Sequence, residues 1–161
     1  MNELRKLAMS FSYAGRGILW AVRTQRNLRI HLTAMAAVLY LAWLERLSGT
    51  ELCLELLCCM AVISLELMNS ALEQVCDAVT LERRPRIRNA KDAAAGAVLA
   101  SAIGSAAVAL VILFAGGHWG TLCGQLRERR WTGPVLLLIL LLGAGFVFLP
   151  CMRSHTKDQK K

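Results

Sequence analysis

Apolar positions recur along this chain in one amphipathic stretch and four longer blocks. Residues 4 to 22 place Leu4, Leu7, Phe11, Ala14, Ile18 and Val22 three or four apart, with Arg5, Lys6, Ser12, Arg16 and Arg23 largely elsewhere. That period predicts an amphipathic, basic helix over residues 1–26, suited to the headgroup region of an anionic leaflet. An ordinary packed surface helix fits the same pattern. Leu28 to Leu44 is apolar enough for a short first span if Arg29 and Arg46 snorkel, with Tyr40 and Trp43 in an aromatic belt at its far end. Leu52 to Val79 contains neither proline nor glycine and reads as a second span whose last turns project beyond the hydrocarbon. Ala93 to Gly117 carries two rows of small residues, Gly96, Ala100 and Gly104 beside Ala97, Ser101, Ser105 and Ala109, as a helix in close contact with other helices would. A fourth candidate occupies residues 133–152, centred on the apolar run Val135 to Leu149.

Composition agrees with this reading. The chain has 161 residues, 56% of them hydrophobic, and a mean hydropathy of +0.47, so it is one small domain of the membrane class. Residues 1 to 17 lack the continuous apolar region of a cleaved signal peptide. The net charge of +8 matters mainly through its distribution. Six Lys and Arg lie in the first 29 residues, five between Leu81 and Asp92 and four after Pro150, against Arg46 alone between Glu45 and Glu51. The first three segments are expected in the cytoplasm, with four spans returning the C-terminus there. Arg127, Arg129 and Arg130, in the expected loop from Gly116 to Trp131, vote against this without reversing it. The six cysteines include no Cys-x-x-Cys and read as small apolar fillers in a reduced compartment. His31, His118 and His155 are too dispersed for a metal site, and His31 reads as a polar residue at a span's edge.

The second span contains the chemistry. Glu66, Asn69, Ser70, Glu73 and Asp77 fall at roughly 0°, 300°, 40°, 340° and 20° around a helix and so share one face. A carboxylate inside a span costs at least ~2.5 kcal/mol, so three in register need a metal, a cation or water. A helix end emerging into water would explain Asp77 but hardly Glu66. On the expected topology this face opens beside Arg83, Arg84, Arg86, Arg88 and Lys91. Carboxylates can hold Mg²⁺ together with substrate phosphates, basic groups can neutralise the remaining phosphate charge, and a carboxylate near a hydroxyl can act as a base. The positive-inside rule alone also accounts for the basic loop. No phosphate-binding Gly-x-x-x-x-Gly-Lys or Gly-x-Gly-x-x-Gly is present.

Three motifs carry a resemblance. Glu66-Leu-Met-Asn-Ser-Ala-Leu-Glu73-Gln-Val-Cys-Asp77, then Thr80-x-Glu82-x-x-Pro85, and Ala90-Lys-Asp-Ala-Ala-Ala-Gly-Ala-Val-Leu99 together resemble the small prokaryotic diacylglycerol kinase family. Asn27-Leu-Arg-Ile-His31 further resembles its undecaprenol-kinase branch. The likeness covers about residues 4 to 117. It implies an all-α integral-membrane lipid kinase, homotrimeric, with an amphipathic surface helix, three core transmembrane helices and sites formed between subunits that use ATP with Mg²⁺. On matching positions Glu66 would be the catalytic base. Glu73 would be a Mg²⁺ ligand, supported by Asn69 and Asp77. Lys6, Tyr13, Glu82, Lys91 and Asp92 would contact nucleotide. The family's second metal carboxylate falls at Gln25, and no Asp or Glu occurs between Leu4 and Leu44 to replace it. An amide oxygen can coordinate Mg²⁺ but supplies no charge. Arg83 and Arg84 also stand where the family usually has Tyr and His.

The expectation is therefore an ATP-dependent kinase acting on the hydroxyl of a membrane lipid, undecaprenol ahead of diacylglycerol, at the cytoplasmic side of the cell membrane. Two rivals stand beside it. One is a small channel or proton-coupled transporter with Glu66 and Glu73 on its path, although inverted repeats and broken helices are not evident. The other is a catalytically impaired relative acting as a scaffold, which Gln25 favours.

Overall fold

The computed structural model describes residues 2–79 and 84–148, and every regular element among them is a helix. The order is α1 (Glu3–Thr24), α2 (Arg26–Glu45), α3 (Gly49–Val79), α4 (Pro85–Ala115), α5 (His118–Glu128) and α6 (Thr132–Phe148). Glu82 and Arg83, and the end of the fourth candidate span with Cys151, lie outside the described residues.

The helix boundaries follow local chemistry. The α1–α2 break falls at Gln25, whose backbone is extended and whose N–H bonds Ala21 O at 2.7 Å. Helix α3 starts at Gly49 rather than Leu52 because Ser48 and Glu51 form a capping box. The Ser48 N–H donates to Glu51 Oε2 at 2.8 Å, and the Glu51 N–H donates back to Ser48 Oγ at 3.4 Å. Helix α4 starts at Pro85 rather than Ala93, since proline is well suited to a first helical turn. Residues 85–92 of the expected basic loop are thus helical, which places Lys91 and Asp92 on α4.

The expected loop from Gly116 to Trp131 is also largely helical, and Cys123 lies in α5 rather than in a loop. Gly117 takes the left-handed conformation, φ 76°, that reverses the chain there. Leu122 is buried, the Phe114 and Trp119 rings sit 5.3 Å apart, and His118 Nε2 lies 3.0 Å from Glu51 Oε1. These tertiary contacts hold a helix whose sequence, with Gly120 and Gly124, gives little helical signal of its own.

Helix α3 lies along α4, and α2 packs between α3 and α6. A small core of Ala21, Leu28 and Ile63, flanked by Trp20, Leu32, Met35 and Leu67, joins the end of α1 to α2 and α3. Helix α6 runs antiparallel to α2. Tyr40 Oη donates to Thr132 O at 3.1 Å near one end, and Arg29 Nη1 donates to Phe146 O at 3.0 Å near the other. Arg29 thereby places its charge on the negative end of the α6 dipole. Gly143 makes the close approach possible, because a Cβ there would overlap Thr33.

Two described helices, α2 and α4, are long and apolar enough to cross a membrane, and α5 with α6, bent by 99°, makes up to three. The expected count of four is met only in part by this measure. Helix α3 is 31 residues long but carries acidic residues through its apolar stretch. The surface is that of a membrane protein, with Leu57, Met60, Leu99, Ile103, Leu141 and Leu142 all exposed.

Candidate active site

The helical period brings the acidic face of α3 together as expected. Glu66 is 2% exposed, and its carboxylate has no hydrogen bond or ion pair among the described residues. Asn69, 6% exposed, donates from Nδ2 to Glu73 Oε1 at 3.2 Å, whereas its Oδ1 is buried and accepts from nothing among the described residues. Ser70 is buried and turns inward, donating from Oγ to Glu66 O at 2.8 Å, so its hydroxyl braces the helix rather than joining the polar face. Glu73 is half-buried and Asp77 exposed.

The second motif supplies a cation. Lys91 of α4 donates to Asp77 Oδ1 at 2.5 Å across the α3–α4 contact. Asp92 points elsewhere, 3.5 Å from Arg88 one helical turn away. The site thus combines a buried carboxylate without a partner among the described residues, an amide–carboxylate pair and a Lys–Asp pair at its mouth.

Other expected participants stand apart in the single chain. Lys6 is exposed and pairs with Glu3 at 2.8 Å, and Tyr13 is exposed with the Arg16 guanidinium 4.8 Å from its ring centre. Gln25 is half-buried at the α1–α2 break. No hydrogen bond or ion pair joins Lys6, Tyr13 or Gln25 to the α3 acids among the described residues. Gln25 lies between Ala21 and Leu28, which share a core with Ile63 of α3.

One polar residue escaped the sequence reading. Glu55 is 4% exposed and lines a cavity of about 170 Å³ between α2, α3 and α4, together with His31 and Ser105. It precedes Glu66 by three helical turns, a roughly 20° offset, so extending the same wheel backwards would have found it.

Asn69 Oδ1 and the Glu73 carboxylate are oxygen donors of the kind Mg²⁺ takes. No cluster of three potential His, Cys, Asp or Glu ligands is assembled among the described residues. A Mg²⁺ held by one or two carboxylates and completed by phosphate and water needs no such cluster, so these residues fit it.

Comparison with known proteins places this helical, acid-bearing chain in the class of membrane lipid kinases. More particularly, it belongs to the prokaryotic diacylglycerol kinase family, which matches residues 12–113. It is 42% identical over 111 residues to the undecaprenol kinase of Bacillus subtilis (strain 168), covering 69% of this chain and 90% of that one. It is 41% identical over 103 residues to a diacylglycerol kinase of Synechocystis sp., covering 63% of this chain and 59% of the relative. A diacylglycerol kinase of Pseudomonas aeruginosa is 33% identical over 89 residues, 55% of this chain and 72% of that one. No solved structure matches the chain. The family match stops short of α5 and α6.

Proposed function

We propose that the chain transfers the γ-phosphoryl group of ATP to the terminal hydroxyl of a membrane lipid, undecaprenol ahead of diacylglycerol. The observation carrying this reading is Glu66, a buried carboxylate with no hydrogen-bond or ion-pair partner among the described residues, on the same helix face as the Asn69–Glu73 pair. A base needs a carboxylate that is not already committed to a cation, and Glu66 is held inside the helix layer, where a lipid hydroxyl can reach it.

In this reading Glu66 accepts the hydroxyl proton as the lipid oxygen attacks the γ-phosphorus in line, without a phosphoenzyme. Asn69 holds Glu73 in place, and Glu73, with Gln25 as a weaker oxygen donor, would hold a Mg²⁺ that supplies neutralising charge to the phosphates. Lys91, oriented by Asp77, presents a cation to the nucleotide phosphates. Lys6, Tyr13, Glu82 and Asp92 would also contact the nucleotide, in a homotrimer whose sites form between subunits. The site faces the cytoplasm, where ATP is found, and α2, α3, α4 and α6 cross the membrane.

Full-length protein incubated with labelled ATP and Mg²⁺ and given undecaprenol or diacylglycerol separately tests the reading. Label should appear in the lipid, most strongly with undecaprenol. No transfer to either lipid, with nucleotide still bound, favours the impaired scaffold that Gln25 suggests. No nucleotide binding at any Mg²⁺ level overturns the proposal.

A further inference from the structure

The end of α2 opposite Arg29 borders a cavity of about 610 Å³, closed on one side by α5, which lies beyond the family match. Its apolar wall includes Leu39, Leu47 and Leu52, and its polar lining is Arg46, Gln125 and Arg129. Neither guanidinium has a carboxylate within ion-pair distance among the described residues. The Gln125 amide oxygen is buried and accepts no hydrogen bond among them.

The arginines are also held in place. Arg129 sits 6.0 Å from the centre of the Trp43 ring and 5.6 Å from that of Trp131, beside both of these neighbouring rings. Arg46 caps α2 in the left-handed conformation, φ 56°, where glycine would be easier to accommodate. Arg46 thus presents beside the cavity a charge with no ion-pair partner among the described residues.

We infer that this cavity binds an anionic phospholipid, its phosphate between Arg46 and Arg129, a headgroup hydroxyl donating to Gln125, and a chain along the leucine wall. Depth favours a lipid over a free anion. Tyr40, Trp43 and Trp131 form one aromatic group, with centroids 6.1 and 6.0 Å apart, of the kind found where headgroups meet hydrocarbon. The site also gives Arg129 a role in a segment that positive-inside counting would leave nearly uncharged. This inference rests on the membrane reading but not on the kinase chemistry.

The test uses purified full-length protein in neutral detergent without nucleotide. Native mass spectrometry follows retention of phosphatidylglycerol, phosphatidylcholine or inorganic phosphate. Phosphatidylglycerol should be retained at one per chain in preference to phosphatidylcholine, and Arg46→Gly with Arg129→Gln should weaken it roughly thirtyfold. Arg130→Gln, outside the cavity lining, should leave retention unchanged. Arg46→Gly alone relieves the backbone, so it keeps the test available if the double variant fails to fold. Gln125→Leu should weaken phosphatidylglycerol more than phosphatidic acid, which lacks the headgroup hydroxyls. Brominated-chain phosphatidylglycerol should quench wild-type tryptophan fluorescence more than brominated phosphatidylcholine, and Trp43→Phe should remove most of the difference. Equal retention by wild type and Arg46→Gly, or inorganic phosphate competing as well as the lipid does, overturns the assignment.

Discussion

The two ends of α3 treat their acidic residues in opposite ways. At the start, Glu51 is fully engaged: Ser48 binds it through both backbone and hydroxyl, and His118 joins it from α5. Toward the other end, Glu66 is buried with no bonding partner among the described residues, and Asn69 leaves a buried oxygen without a donor. Polar groups that hold a fold together are satisfied within it, because leaving one unsatisfied costs about 1–3 kcal/mol. Asn69 Oδ1 is in that costly state, and on the proposed reading it and Glu66 await a partner that binds later. The same helix thus contains one acid fastened within the fold and another with no bonding partner among the described residues.

That contrast can be broken most directly at Glu66. Glu66→Gln should lower lipid phosphorylation at least about 100-fold while nucleotide still binds, measured by label transfer and by binding in parallel. Near-normal turnover would mean that the buried acid is not the base. Glu73→Ala should act earlier, abolishing Mg²⁺-dependent nucleotide binding measured by calorimetry. Gln25→Glu sharpens this point, since restoring a carboxylate should shift activity to lower Mg²⁺ concentration; an unchanged metal requirement would defeat the idea that Gln25 weakens the site.

Smaller effects belong to the fastened regions. Gly143→Val should push α6 off Thr33 and cost about 1–3 kcal/mol, seen as a lower thermal midpoint, with partial recovery on adding Thr33→Ala. The smallest effect is at the Glu51–His118 tie and depends on pH. His118 is held above its ordinary 6.5, mainly by the Glu51 hydrogen bond, so its contribution is complete below pH 6.5 and disappears as pH rises through the raised value. Glu51 is held down to about 2, first by the Ser48 hydroxyl, so its contribution is present above its ordinary 4.5 and is lost as pH falls toward 2. The thermal midpoint of wild type relative to His118→Gln should therefore be highest between pH 4.5 and 6.5 and decline above it. A difference that stays flat from pH 6 to 9 would remove the proton from the account.

Most of the acidic face was legible because helix geometry is local: once Leu52 to Val79 is helical, Glu66, Asn69, Glu73 and Asp77 must align. Ser70 shows the limit of that reasoning, since its hydroxyl turns back to its own helix. Glu55 carried the same periodic signal and was passed over because no motif included it. Helix α5 gave little signal, being held by Leu122, Trp119 and His118 rather than by propensity. The Lys91–Asp77 pair was suggested only by proximity in sequence, and its geometry required α3 and α4 to pack side by side.

By itself the sequence determined that the chain is helical and membrane-bound, that it belongs with the lipid kinases, and which residues share the acidic face, because period and composition act over a few turns. Tertiary structure alone decided which acids find partners, where α6 docks, and that Arg46, Gln125 and Arg129 surround one cavity. Those outcomes depend on groups as far apart as Arg29 and Phe146 meeting across a helix interface, and no local period encodes such meetings.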